Sequence, residues 1–237
     1  MPVHVPGFSG GDRTDIELPK VQRDLIEARH NEGKKVILVN FSGSAVGLVP
    51  ESQHCDAILQ AWYPGQMGGT AITDVLFGDV NPSGRLPLTF YKSADQLPHF
   101  ENYDMEGHTY RYFRDEPLFK FGHGLSYTTF EYGKAKVKNG KLIIPVKNTG
   151  SVTGEEVVQL YIRKPDDAAG PIKTLRGFER VTVAPGKTVK VEIPLTDETF
   201  NWWDETTQNV NPVHGTYELL YGGSSADEAL TSITYIY

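Results

Sequence analysis

Gly7-Phe8-Ser9-Gly10-Gly11 has the G-x-S-x-G spacing of a nucleophile elbow, in which a serine on a sharp strand-to-helix turn attacks an acyl carbon. That geometry needs a strand before the serine and a helix directly after it. Here Pro2 and Pro6 cut the preceding segment and the next helix start is at Pro19, so the context favours a glycine loop. Asp12 and Arg13 follow in the same loop and suit either an ion pair or the rim of a polar site. Trp202-Trp203-Asp204 looks like a sugar platform, but consecutive residues of a strand face opposite ways, so at least one indole belongs to the core. The turn over Gly65–Gly69 opens a helix as a phosphate cradle does. It has neither the P-loop lysine nor G-x-G-x-x-G spacing, which leaves tight strand-to-helix packing as its role. The histidines, at 4, 30, 54, 99, 108, 123 and 214, show no i,i+4 pair and no Cys/His spacing, so neither a metal nor another cofactor is expected. His54 beside Cys55 has no third group to orient it.

The elements that must position these residues fall into two textures. Up to about residue 90 helix and strand alternate. Pro19 is placed at a helix start, Leu18, Val21, Leu25 and Ala28 share one helical face, and Gly33 ends the helix. Val36–Phe41 is a continuous apolar run, as expected of a parallel strand covered on both faces, and Ala57–Tyr63 is a second. A helix over Thr70–Phe77 follows. Two parallel strands cannot cover themselves, so this half reads as part of a larger α/β domain. From Ser126 onward short strands alternate with turns. The expected strands are Tyr132–Val137, Leu142–Lys147, Val157–Arg163, Leu175–Val183, Val189–Leu195, Thr216–Tyr221 and one near Ile233–Tyr237. About seven strands in roughly 110 residues fit a β-sandwich of the immunoglobulin or fibronectin III type, and the absence of a Cys pair excludes the antibody subtype. The expected fold class is thus α/β plus all-β: a partial α/β sandwich with parallel strands over 1–90, a linker over 91–125, and a fibronectin III-like β-sandwich over 126–237.

Composition narrows the partners. A net charge of -7 in 237 residues argues against nucleic acid, which is bound by clustered Lys and Arg. No apolar run approaches the ~18 residues of a membrane span, and no membrane partner is expected. One cysteine, Cys55, excludes an intrachain disulfide framework.

Several motifs in order carry a resemblance. They are Gly11-Asp12-Arg13 with Leu18-Pro19 and Gln22, then Pro64-Gly65-Gln66, Gly84-Arg85-Leu86-Pro87 and Thr109-Tyr110-Arg111-Tyr112. Phe121–Thr128, Val146–Gly150, Gly154–Tyr161 and Leu175-Arg176-Gly177-Phe178 continue the match through the sandwich. Together these resemble glycoside hydrolase family 3, in its β-glucosidase and β-xylosidase branch, over nearly the whole chain. The resemblance implies a parent enzyme with a TIM barrel, an α/β sandwich domain and a fibronectin III-like domain, which retains anomeric configuration with two carboxylates. It places the nucleophile in the barrel and the acid/base in a segment falling just before Met1, so both are expected to lie outside this chain, and no catalytic residue is assigned within it. Asp12, Arg13, Tyr110 and Arg111 are then rim or inter-domain residues. The expected partners are a carbohydrate substrate, met through the parent enzyme, and the missing barrel as a docking surface. Such a parent would be periplasmic or secreted. A non-catalytic module that binds carbohydrate or a protein partner, and a serine hydrolase using Ser9, remain as alternatives.

Overall fold

The computed structural model describes residues 15–99 and 101–237, which form two compact units. The first takes the described residues up to Thr73 together with those of Leu88–His108 and Arg114–Phe119; the second takes Asp74–Pro87, Thr109–Phe113 and Lys120–Tyr237.

In the first unit, helix α1 (Lys20–Asn31) begins after Pro19 and ends at Gly33, whose positive φ of 70° lets its N–H reach the His30 carbonyl at 2.8 Å. Strand β1 (Ile37–Asn40) pairs in parallel with β2 (Ala57–Gln60), and the short helix α2 (Val49–His54) connects them. Asn40 Nδ2 donates to Gln60 Oε1 at 2.7 Å across the last paired residues. Both strands are shorter than the apolar runs that announced them, and Trp62, beyond β2, has a left-handed φ of 53°. Helix α3 (Gly68–Phe77) follows, its residues from Asp74 onward belonging to the second unit.

Burial departs from expectation. The apolar face of α1 is uncovered, with Val21 75% and Leu25 58% exposed and no residue of the helix buried. Nor is the β1 run covered on both faces, since Ile37 is 52% and Phe41 56% exposed. Periodicity tells which residues share a face; it does not supply the layer that would cover it. Two strands and a few helices are too little to do so.

The second unit holds helix α4 (Thr109–Tyr112) and strands β3 (Phe130–Tyr132), β4 (Lys136–Lys138), β5 (Lys141–Asn148), β6 (Gly154–Arg163), β7 (Thr174–Val183), β8 (Thr188–Pro194), β9 (Asn201–Asp204), β10 (Asn209–Pro212), β11 (Thr216–Gly222) and β12 (Leu230–Ile236). One sheet runs β12-β11-β6-β7; in the other, β3, β4 and β8 all pair with β5. The alternation required of a sandwich is plain in Leu142, Ile144 and Val146 of β5 and Val158, Leu160 and Ile162 of β6, all fully buried. Each such side chain contributes about 1.5–3 kcal/mol on burial. Tyr217, Leu219 and Tyr221 of β11 complete the core.

The single strand expected at Tyr132–Val137 is instead two, β3 and β4. Pro145 on the facing strand has no N–H to donate, and Gly133 closes on it with its own N–H to the Pro145 carbonyl at 2.8 Å, so the ladder is interrupted there. The β9–β10 hairpin was not anticipated; its turn carries Gln208 at φ 52°.

Candidate functional site

Of the residues singled out in the sequence, Ser9, Asp12 and Arg13 lie outside the described residues. Tyr110 and Arg111 sit on α4. Tyr110 stacks on Phe121 with centroids 4.3 Å apart and meets Tyr161 edge-on at 5.8 Å. Its Oη accepts the Leu175 N–H at 3.0 Å, so the phenol terminates the exposed edge of β7. Burial raises its pKa. Arg111 lies over the Tyr112 ring at 5.4 Å, and its carbonyl accepts the Ile172 N–H at 2.7 Å. Its Nε is buried without a hydrogen-bond partner.

The loops around α4 are held to the sandwich by polar contacts between residues far apart in sequence. Asn81 Oδ1 accepts from Ser126 Oγ at 2.9 Å and from the Tyr127 N–H at 2.7 Å, while its Nδ2 donates to the Thr153 carbonyl at 3.1 Å. Arg85 Nη2 donates to Glu156 Oε2 at 2.6 Å, and Tyr132 Oη donates to Glu156 Oε1 at 2.7 Å. The two charged side chains are only 10% and 4% exposed. Burial pushes the Glu156 carboxyl above its ordinary value, with Arg85 and the Tyr132 hydroxyl pulling it back. The glycines of the Gly84-Arg85 and His123-Gly124 segments meet closely: a Cβ on Gly124 would stand 2.3 Å from the Gly84 carbonyl oxygen. His123 is held below the usual imidazole value by burial and by the neighbouring Arg85 charge.

Other candidates resolve into packing. Trp202 is buried, its Nε1 donating to Asp167 Oδ2 at 2.6 Å, whereas Trp203 is half-exposed. His54 stands against His30, whose Nδ1 meets the His54 carbonyl at 3.0 Å, and burial raises the Cys55 thiol, which disfavours a reactive thiolate. Among the described residues, no group of three His, Cys, Asp or Glu is arranged to hold a metal, and no helix is long and apolar enough to cross a membrane.

Arg176 carries no functional signal of its own in the sequence. It lines a groove of about 470 Å³ between the β7 edge, the end of β8 and the turn at 196–201. The register of β6 against β7 pairs Leu160 with Gly177 and Tyr161 with Leu175, leaving Arg176 as the extra residue of a β-bulge. Leu175-Arg176-Gly177-Phe178 was visible as a motif, but a bulge depends on the partner strand and leaves no local signature.

This geometry now stands beside known proteins. The profile of the glycosyl hydrolase family 3 C-terminal domain matches residues 5–127, and that of the fibronectin type III-like domain matches residues 156–225. The class is therefore an α/β C-terminal domain followed by a fibronectin III-like sandwich. The chain belongs to glycosyl hydrolase family 3. It is 56% identical to a xylan 1,4-beta-xylosidase of Xylanibacter ruminicola over 99% of this chain and 28% of that protein. It is 38% identical to a beta-xylosidase of Formosa agariphila over 95% of this chain and 33% of that protein. Among solved structures, a β-glucosidase from Erythrobacter marinus superposes with a TM-score of 0.84 at 36% identity, covering 98% of this chain and 32% of that one. The chain thus spans only 28–33% of the length of these relatives.

Proposed function

We propose that this chain is the supporting C-terminal part of a retaining β-glycosidase acting on β-xylosides or β-glucosides, and that by itself it hydrolyses neither. The observation that carries this reading is the match to the family's C-terminal domain together with the 28–33% span of relatives whose names denote β-xylosidases and a β-glucosidase. A retaining glycosidase sets two carboxyl groups about 5–5.5 Å apart, one as nucleophile and one as acid/base. Among the described residues the most deeply buried glutamates are Glu156, bonded to Arg85 at 2.6 Å, and Glu51, whose carboxylate oxygens accept no hydrogen bond and face Arg23 Nε at 3.6 Å.

On this reading the polar ties around Asn81 and Arg85 hold loops of the parent enzyme in place, and Asp12 and Arg13 edge its active site. Tyr110 and Arg111 serve the rim at which its domains meet. The uncovered apolar residues of the first unit, Val21, Leu25, Ile37 and Phe41, are where the rest of that enzyme, its barrel included, docks. Steady-state assays of the purified chain with aryl β-xyloside and β-glucoside test the proposal. No turnover above buffer is expected, and turnover that follows the chain through purification contradicts it. A second reading, a non-catalytic carbohydrate-binding module, is favoured by the Arg176 groove alone.

A further inference from the structure

The outer face of the β5 sheet is basic, in a chain whose net charge is -7. Leu142, Ile144 and Val146 of β5 are fully buried in the core, so Lys141, Ile143, Pro145 and Lys147 point the other way. Residues directly opposite in a ladder share a face. The register therefore sets Lys136 beside Ile143, Lys138 beside Lys141, Lys190 beside Pro145 and Glu131 beside Lys147, with Glu192 on the β8 side of Ile143. All five lysines are exposed. Five lysines against two glutamates leave this face at +3, so the residues elsewhere sum to -10. Lys141 pairs with Glu192 at 2.8 Å, whereas among the described residues Lys136, Lys138, Lys147 and Lys190 form no ion pair. Lys138 and Lys141 stand directly opposite across the Asn139-Gly140 turn, a like-charge pairing that weakens the hairpin. An anion laid over them turns that repulsion into attraction. Between the lysines runs an apolar strip. Ile143 and Pro145 are half-buried, and Gly133 leaves the proline ring uncrowded, since a Cβ there would stand 3.1 Å from Pro145 Cβ. Lys141 and Lys147 end the strip, about 20 Å apart at the strand rise of ~3.4 Å per residue.

We propose that this sheet face binds an acidic polysaccharide, a polyuronate chain laid along β5. The choice of a sugar polymer rests on the reading of the chain as part of a glycosidase; the choice of an acidic one rests on the lysines. Ile143 and Pro145 suit the carbon–hydrogen faces of sugar rings, and ammonium groups on both sides and at both ends suit carboxylates carried along the polymer. A lysine's flexible stem lets its charge meet a carboxylate wherever it falls, without the fixed geometry of a guanidinium. The face carries neither arginine nor an aromatic ring, the groups that grip phosphates and stack on bases. Nor does it carry a leucine, phenylalanine or tryptophan to enter a bilayer. The -10 elsewhere repels duplex nucleic acid, with one charge per ~1.7 Å, more than a polymer with one carboxylate per sugar.

The test is a titration of the ¹⁵N-labelled 237-residue chain at low ionic strength with polygalacturonate, its carboxyl-reduced neutral form, duplex DNA and phosphatidylglycerol vesicles. Polygalacturonate is expected to shift amides of 136–147 and 188–192, and each of the other three to bind at least about 10-fold more weakly. Lys136→Gln combined with Lys138→Gln is expected to weaken polygalacturonate about 5- to 30-fold. Both side chains are exposed and the change relieves the Lys138–Lys141 repulsion, so the thermal midpoint should hold or rise. Lys20→Gln combined with Lys34→Gln removes the same charge from exposed sites in the first unit and should alter affinity less than about 2-fold. Glu192→Gln frees Lys141 and should tighten binding about 2- to 5-fold. No response to polygalacturonate, an equal response to the neutral polymer, DNA or vesicles, or an equal loss in the Lys20 and Lys34 variant would each overturn the proposal. Binding is read without turnover, so this result and the hydrolysis assay above can fail independently.

Discussion

Replacing Glu156 by glutamine isolates the interaction that ties the Gly84–Pro87 loop to the sandwich. The change keeps the side chain's size and removes its charge. It leaves the Arg85 guanidinium, 10% exposed, facing a neutral amide at the place where a carboxylate oxygen stood 2.6 Å away. Breaking a buried pair by neutralising one partner costs about 3–5 kcal/mol, because the remaining charge stays desolvated. Tyr132 adds to the loss, since its Oη donates to the other carboxylate oxygen at 2.7 Å. With a urea dependence of about 2–3 kcal/mol per molar, the unfolding midpoint of the second unit should fall by roughly 1–2.5 M. The triple variant Arg85→Met, Tyr132→Phe, Glu156→Leu removes every member of the network and should recover most of that loss. Urea titrations followed by tryptophan fluorescence measure both effects, Trp202 lying in the core of the same unit. A cost below about 1 kcal/mol for Glu156→Gln would mean that the pair is screened as surface pairs are, and would refute its assignment as a desolvated tie.

Tyr110→Phe removes the acceptor of the Leu175 N–H and should destabilise the second unit by about 1–3 kcal/mol in the same titration. Gly68→Ala sets a Cβ 2.5 Å from Pro64 Cγ, a rigid ring carbon; the clash, about 1–3 kcal/mol, should outweigh the ~1 kcal/mol gained in helix propensity, lowering the thermal midpoint. Asp227 is held below its ordinary value chiefly by its hydrogen bond from Lys173. Its contribution is therefore present above the unfolded carboxyl value and lost as pH falls through the depressed one, and Asp227→Asn should flatten the acid limb of a stability–pH curve measured from pH 6 to 2. The exposed Val21 and Leu25 should let the native chain bind a hydrophobic dye, with Val21→Lys and Leu25→Glu reducing the signal while shifting the midpoint by less than about 0.5 kcal/mol.

What could be read from the sequence was local or periodic. Pro19 and Gly33 mark the ends of α1 because their constraints act on their own backbone. The period-2 apolar pattern of β5 and β6 announces inward faces, and Trp202 and Trp203 divide between core and solvent as alternation demands. What escaped depends on partners. Val21 and Leu25 share a face as expected, but whether that face is covered is decided by elements elsewhere. The split between β3 and β4 is caused by Pro145 on a different strand. Arg85 and Glu156 meet across 71 positions, and the bulge at Arg176 exists only in the register with β6. Of the candidate site, Tyr110 and Arg111 lie in a motif that the family resemblance marks, whereas the groove at Arg176 depends on elements far apart in the chain.

Steady-state hydrolysis of aryl β-xyloside and β-glucoside by the purified chain tests the central claim most directly. The account predicts no turnover above buffer at any pH from 4 to 8. Turnover that co-purifies with the chain and disappears on substituting one of its own carboxylates would contradict it.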